Sequence, residues 1–381
     1  MLMLRSSTFN DLFGNEATQV SNGTTFGQVN GSSFGYHILN CVFSDMYSNR
    51  GSYDLVVVNG VIYFRTTHSV DLFVEDCVFC ECSAGGIYFN CGNNGASMLM
   101  RICAYNCHTS LSDFKSGQFA YVITKNIKRN DIDLVSISHC GREVSSDKSH
   151  PIYLLYGNQK VSYLNSSNNK VYWYSGFSSD AALTFNMTYS SFYDNFASHS
   201  VCIYYHIAQR NNDQKFSFCN FVRNISPVSP GVFVINNDYN EHEFDFLYLI
   251  DCIFQDNQND LFYNSNRCEG CERVIYLLRC WIQHSGNWQN RCNNGNIFER
   301  ISCRFENYQT QTHAISFFNE DKCDPDYIHH HEINSPCQTL ITHPPSPTNC
   351  EFNETVGMKI LSSILSSMIR SFMMLHVLLI K

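Results

Sequence analysis

Two cysteine clusters, a histidine run, an acidic loop and an aromatic loop hold the side chains of this sequence best suited to chemistry. Cys77, Cys80 and Cys82 in the run CVFCEC, and Cys268 with Cys271 in CEGC, have spacings at which thiolates approach one tetrahedral zinc ion. Neither cluster has an evident second half. The segment CDPDYIHHHE, Cys323 to Glu332, gathers carboxylates and three imidazoles that bind divalent ions adventitiously, or else forms a solvated loop. Asp238, Glu241, Glu243 and Asp245 offer the several oxygens that calcium wants, or a turn that faces water. Tyr172, Trp173 and Tyr174, in VYWYSGF, suit contact with carbohydrate or protein, or a loop folded over the core. None of these sets completes a metal site, so no metal or cofactor is expected.

The elements that must position these groups come from a repeat. A short run ending in Cys-x-aromatic, or a close variant, recurs ten times, with anchors at Cys41, Cys77, Cys103, Cys140, Ser167, Ser190, Cys219, Cys252, Cys280 and Cys303. Steps between anchors vary from 23 to 37 residues. Packed helical pairs hold a strict length, whereas strands joined by variable turns absorb insertions, so the units are read as coils of strands. In LYLIDCIFQDN, a period of two puts Tyr248, Ile250, Cys252 and Phe254 on one face and Asp251 on the other. A second β-rich run follows most anchors, as in GVIYF from Gly60, GGIYF from Gly85 and GVFVI from Gly231. Asn195, Asn224 and Asn257 each lie five residues past an anchor, where the left-handed tolerance of Asn suits a tight turn.

In these Cys-rich, Asn-rich, sequon-rich repeats the chain resembles right-handed parallel β-helix proteins of the pectin-lyase-like kind, and the uncharacterised β-helix surface proteins of eukaryotic microbes. The resemblance implies an all-β right-handed parallel β-helix solenoid of about ten coils over residues 31–320. Residues 1–30 would form an N-terminal cap or a leader remnant, 321–355 a loop segment with Cys, His and Pro, and 356–381 an apolar C-terminal helix.

The eight ladder cysteines, Cys41, Cys77, Cys103, Cys140, Cys219, Cys252, Cys280 and Cys303, are read as reduced, inward-facing small apolar side chains. Thiols pointing in parallel from stacked strands do not meet disulfide geometry, so any disulfides are expected among the other cysteines. Asn22, Asn30, Asn165, Asn186, Asn224 and Asn353 open Asn-x-Ser/Thr sequons and are possible glycosylation sites. Sequons and nineteen cysteines suit a secreted chain. Met1–Leu4 is apolar but too short for a signal-peptide core, so the start is incomplete or export takes another route. Ile360–Ile380 is long enough to cross a bilayer, although Arg370 near its middle opposes this. Membrane attachment is the expected role, with a cap on the open end of the solenoid or a cleaved anchor signal as the alternatives.

A formal charge of −9 offers no basic stripe, which argues against nucleic acid. Catalysis by a β-helix lyase or glycosidase needs clustered carboxylates on an exposed strand face. The residues just before the anchors never supply acids on two neighbouring coils. The resulting expectation is a non-enzymatic protein of the membrane, cell surface or extracellular space, acting in binding, adhesion or as a scaffold, with glycans or cell-surface proteins as partners. A polysaccharide lyase or glycoside hydrolase of the same fold is the alternative.

Overall fold

Each turn of the chain is defined by where it bends. A computed structural model of the protein describes residues 8–14, 17, 19–21, 33–44, 61–67, 69–83, 85–91, 95–109, 117–124, 127–142, 150–199, 202–207, 214–227, 232–236, 245–258, 261–264, 273–283 and 296–314. Among them, nineteen non-glycine residues take left-handed backbone, with φ between 49° and 62°. Most fall into two rows. The first runs Asn40, Asp76, Arg101, Leu134, Tyr163, Tyr189, Phe218, Asp251, Arg279, Ser302; the second runs Glu81, Asn106, His139, Asn168, Asp194, Arg223, Asp256. Such a residue costs about 1–2 kcal/mol unless it is Gly, Asn or Asp, so rows of Leu, Tyr, Phe and Arg exist because the stacked neighbours hold them. The corner amides remain in the ladder: Asp251 N–H donates to the Leu278 carbonyl and Arg279 N–H to that of Ile301, both at 2.8 Å.

Strands between corners pair in parallel with the equivalent strands of the next turn. The result is a 17-stranded sheet, an 8-stranded sheet and a two-stranded one. One turn shows the plan. Thr184–Thr188 reaches the Tyr189 corner, Ser191–Tyr193 reaches the Asp194 corner, Phe196–Ala197 follows, and Ile203–Ile207 lies in the second sheet. The Ile-Tyr-Phe runs of the sequence build that second sheet. Gly86 opens one of them because a Cβ there would stand 2.5 Å from the Phe119 ring.

The fold is therefore an all-β parallel β-solenoid with almost no helix, and its coil count is a correction. The solenoid has about six turns rather than ten, because a closed turn needs a strand in both sheets and the second sheet is shorter than the first. The helix Phe9–Phe13 lies on the outer face of the long sheet, with Phe9 against Phe73, Met98 and Met100. Gln19–Ser21 extends that sheet by pairing with Tyr36–Ile38. Residues 321–355, and the expected apolar C-terminal helix of 356–381, lie outside the described residues. Among the described residues no helix is long and apolar enough to cross a membrane.

The inward row after the first corner reads Cys41, Cys77, Ile102, Val135, Leu164, Ser190, Cys219, Cys252, Cys280, Cys303. Two cysteines expected in it are elsewhere. Ile102 takes the inward place expected for Cys103, because the left-handed residue is Arg101; Cys103 faces outward beside Val78, Cys80 and Leu134 and is disulfide-bonded. Cys140 sits at the second corner, in a row running Cys82, Cys107, Cys140, Asn169, Asn195, Asn224, Asn257. Leu164, not Ser167, is the anchor of its turn. Strict alternation also fails at the corner. Leu247 and Leu249 are buried inward while Tyr248 and Ile250 are half-exposed, and Asp251 then shifts the phase so that Cys252 and Phe254 point in. A left-handed residue turns the strand without consuming a normal alternation step, so Tyr248 and Cys252 occupy opposite faces.

Cysteine and serine recur at the first corner because the carbonyl two residues earlier needs a donor. Cys77 Sγ reaches the Glu75 carbonyl at 3.1 Å, Cys252 that of Ile250 at 3.5 Å, and Ser190 Oγ that of Thr188 at 3.0 Å. At the second corner the amides chain together. Asn169 Nδ2 donates to Asn195 Oδ1 at 3.0 Å, Asn195 to Asn224 at 3.1 Å, and Asn224 to Asn257 at 3.1 Å.

Cys252→Asp should destabilise the protein by several kcal/mol, because it buries a carboxylate in this row. Asp251→Ala should cost only about 1 kcal/mol, the lost left-handed tolerance of Asp, since its pair with Arg279 is solvent-facing. Urea unfolding of both variants checks this, and equal losses would mean that the faces are misassigned. The Asn224 sequon should also be unoccupied: its Nδ2 donates to the Phe192 carbonyl and to Asn257, and the residue is 2% exposed. Glycopeptide mass spectrometry that found a sugar at Asn224 in folded protein would contradict the amide ladder.

Candidate functional site

The outer face of the long sheet brings together groups that are far apart in the sequence. Arg129–Ser138 presents Asp131 and Asp133 on this face, with inward Ile132 between them. Register then places Asp131 beside Lys160, Lys160 beside Asn186, and Asn186 beside Lys215. A parallel row carries Asp133, Ser162, Thr188 and Ser217, with Thr188 Oγ1 donating to Ser162 Oγ at 3.4 Å. The first corner row borders both, and there Tyr163 stacks on Tyr189 at 5.4 Å and Tyr189 on Phe218 at 5.0 Å. Tyr189 is 38% exposed.

On the N-terminal side this platform meets a charged cluster. Arg101 donates to both oxygens of Asp76, at 2.8 and 2.9 Å, and to Glu75, which also holds His37 at 3.0 Å. Burial pushes the Asp131 carboxyl up to about 6, against the pull of Arg129 and Lys160, and burial raises Asp133 as well. Two carboxyls separated by two residues of strand stand about 7 Å apart along the chain. One of them holds its proton to an unusually high pH, and a lysine lies one strand away. Such a set can donate and accept hydrogen bonds to a polyhydroxylated ligand, and it has the elements of an acid–base pair. The motif NDIDLV displays both acids in the sequence. The residue just before each anchor does not carry this pair, because the exposed rows lie two and four residues before the inward anchor residue.

The second sheet presents an aromatic row. Tyr63, Tyr88, Tyr121 and Tyr153 stack in order with ring separations of 5.0, 5.2 and 5.2 Å. Tyr153 donates its hydroxyl to Asp180, which also bonds His206 Nδ1, and His150 bonds Ser178. Burial raises the pKa of both Tyr121 and Tyr153. Tyr172, Trp173 and Tyr174 lie beside this row, half-buried. Tyr172 stacks on His199 at 4.9 Å, Trp173 meets the same ring edge-on at 5.0 Å, and Tyr174 packs on Tyr204 at 4.6 Å. The loop is bound to the next turn by its backbone too, since His199 N–H donates to the Tyr172 carbonyl at 2.9 Å.

The cysteine run Cys77–Cys82 is divided by the fold. Cys77 and Cys82 point inward at successive corners and Cys80 points outward, so they do not converge on one ion. Among the described residues there is no group of three or more His, Cys, Asp or Glu that could hold a metal. Cys268, Cys271 and the run Cys323 to Glu332 lie outside them, as does the acidic loop apart from Asp245, which begins a strand. Of the sequons, Asn165 and Asn186 are half-buried on outer strand faces, and Asn22, Asn30 and Asn353 are outside the described residues. Comparison with protein-family models, curated proteins and solved structures finds no match for this chain.

The raised Asp131 predicts a pH signature. Its folded pKa lies above the unfolded value, so the folded state holds the extra proton between the two. The penalty is absent below about pH 4 and complete above about pH 6. Asp131→Asn should therefore stabilise the protein by about 3 kcal/mol at pH 7 and by almost nothing at pH 3.5. Denaturant midpoints across that range check it, and a gain independent of pH would place the effect outside the carboxyl.

Proposed function

We propose that the chain is a non-enzymatic surface or extracellular module, a right-handed β-helix of the pectin-lyase-like kind, that binds glycans on the outer face of its long sheet. The observation that carries this is the juxtaposition of three in-register rows: Asp131–Lys160–Asn186–Lys215, Asp133–Ser162–Thr188–Ser217, and the corner aromatics Tyr163–Tyr189–Phe218. Sugars are recognised by polar groups that fix hydroxyls and by aromatic surface that covers the apolar ring face. The rows supply both at a strand spacing of about 4.8 Å, close to one sugar unit per strand. Right-handedness follows the rule for parallel crossovers. A disulfide at Cys103 supports an oxidising setting. Membrane attachment would come through Ile360–Ile380, and cell-surface proteins bearing glycans are the natural partners.

One observation favours a second reading, a polysaccharide lyase or glycoside hydrolase. Asp131 and Asp133 share a face at a separation close to the roughly 6.5–9.5 Å of inverting hydrolases, and one of them is held partly protonated.

A glycan array with the purified chain should show binding that Lys160→Ala or Tyr189→Ala weakens about tenfold, the loss of roughly one good contact. The triple alanine replacement of Tyr172, Trp173 and Tyr174 should leave it unchanged, because that loop is packed on its own solenoid. Loss of binding only in the triple variant would move the site to the loop. Incubation with polyuronides, with and without calcium, decides the second reading: turnover abolished by Asp133→Asn would make the protein an enzyme.

A further inference from the structure

The row Asp131–Lys160–Asn186–Lys215 does not end at Lys215. Register carries it on to Tyr248 and then Tyr276, whose rings stack at 4.8 Å with their planes 9° apart and stay half-exposed. On the N-terminal side the row runs into Met98 and Phe73, and there Phe9 packs against both. The polar stretch therefore opens at Asp131, with an apolar block behind it and an aromatic pair ahead.

Positive charge falls on alternate strands of this stretch, at Lys160 and Lys215, with Asn186 between them. Two strand steps of about 4.8 Å set the lysines about 10 Å apart. Asp131 is paired with Arg129 at 3.2 Å, and Lys160 acts on it only from across the strand gap. The register neighbours of Lys215 are Asn186 and Tyr248, neither of them acidic. Among the described residues neither lysine enters an ion pair. Asn186 Oδ1 is shut off from solvent and accepts no hydrogen bond. Ser162 and Ser217 lie two residues beyond the lysines on the same strands, and so place a hydroxyl near each cation.

A polymer laid along the row meets about one sugar per strand. At Lys160 and at Lys215 a carboxylate gains a charge-assisted bond from the ammonium and a second donor from the serine. The positions between and beside them penalise a charge. Asp131, its carboxyl pushed up to about 6 by burial, is ionised at pH 7 and repels another carboxylate. Asn186 Oδ1 wants a hydroxyl or amide donor, which a neutral sugar supplies. Tyr248 offers a ring whose negative face suits the apolar face of a sugar and not an anion. A homopolymer of uronic acid would press carboxylates onto Asp131 and Asn186, and a neutral glycan would leave both lysines without a partner.

We propose that the occupant of this face is an acidic polysaccharide in which a uronic acid alternates with a neutral sugar, its carboxylates seated on Lys160 and Lys215. The assignment rests on the reading of the outer face as a glycan site and narrows it to one charge pattern. The stretch from Asp131 to Tyr248 holds about five sugars, the second and fourth of them charged.

The test is titration calorimetry of the full chain, produced without N-linked sugar because Asn186 opens a sequon. Three hexasaccharides serve as probes: hyaluronan, in which acid and neutral sugars alternate; polygalacturonate, charged at every sugar; and chitin, which is neutral. Hyaluronan should bind about tenfold more tightly than either of the others, and Lys215→Gln should remove its advantage over chitin while leaving chitin binding unchanged. Asn186→Lys puts a third cation in the row and should raise the affinity for polygalacturonate about tenfold, reversing the preference. Polygalacturonate or chitin bound as tightly as hyaluronan by the unaltered chain would overturn the charge pattern while the glycan reading stands. An unchanged preference in Asn186→Lys would overturn the seat of the neutral sugar. Absence of binding to all three overturns the proposal, and the glycan array then decides whether the broader reading survives.

Discussion

The left-handed corner, with an inward donor placed directly after it, is the interaction on which the rest of the structure depends. Bending a strand this sharply leaves the carbonyl two residues before the inward position inside the core, where an unmet acceptor is costly. A thiol or hydroxyl at the inward position supplies a donor while adding little volume. This explains why Cys and Ser alternate there and why Cys77, Cys219, Cys252 and Cys280 make the same contact with the residue two before them. Where Ile102, Val135 and Leu164 replace them, apolar packing occupies the site instead. The second corner is more strongly tied. Each Asn from 169 to 224 donates to the amide oxygen of the next turn, so the bend in one turn holds the bend in its neighbour. The thiols of Cys107 and Cys140 occupy the same row with weaker donors, and the two chemistries join where Cys140 N–H donates to Asn169 Oδ1 at 2.8 Å.

Everything on the outside follows from this repeat. Because successive turns keep register, any side chain chosen at one outward position acquires neighbours of the same position about 4.8 Å away on either side. At the corners this creates two-toothed ion pairs between turns, Arg101 with Asp76, Arg223 with Asp194 and Arg279 with Asp251. The last two are too exposed to add much stability. On the strand faces the same regularity lines up acids, lysines, hydroxyls and tyrosines into rows. A ligand on such a face meets a periodic surface rather than a pocket, which suits a polymer better than a small molecule.

The sequence by itself determined that the chain is a parallel solenoid of strands, that Asn195, Asn224 and Asn257 recur at a turn, and that the Ile-Tyr-Phe runs form a second set of strands. These are properties of repetition and local preference, and repetition survives variable loop lengths. The positions of Cys103 and Cys140 were decided only by the tertiary structure. In RICAY the local pattern offers Cys103 as readily as Ile102, and the choice rests on which residue bears the left-handed backbone, which is set by the turns stacked above and below. The same physical reason governs the faces. A strand alternates with period two, but one left-handed residue resets the phase, so Tyr248 and Cys252 part company although they lie an even number apart. The pairing of Asp131 with Lys160, twenty-nine residues away, and the return of His313 onto Asn220 are likewise products of register and of the path of the chain after Glu306, and neither is encoded within any single window of sequence.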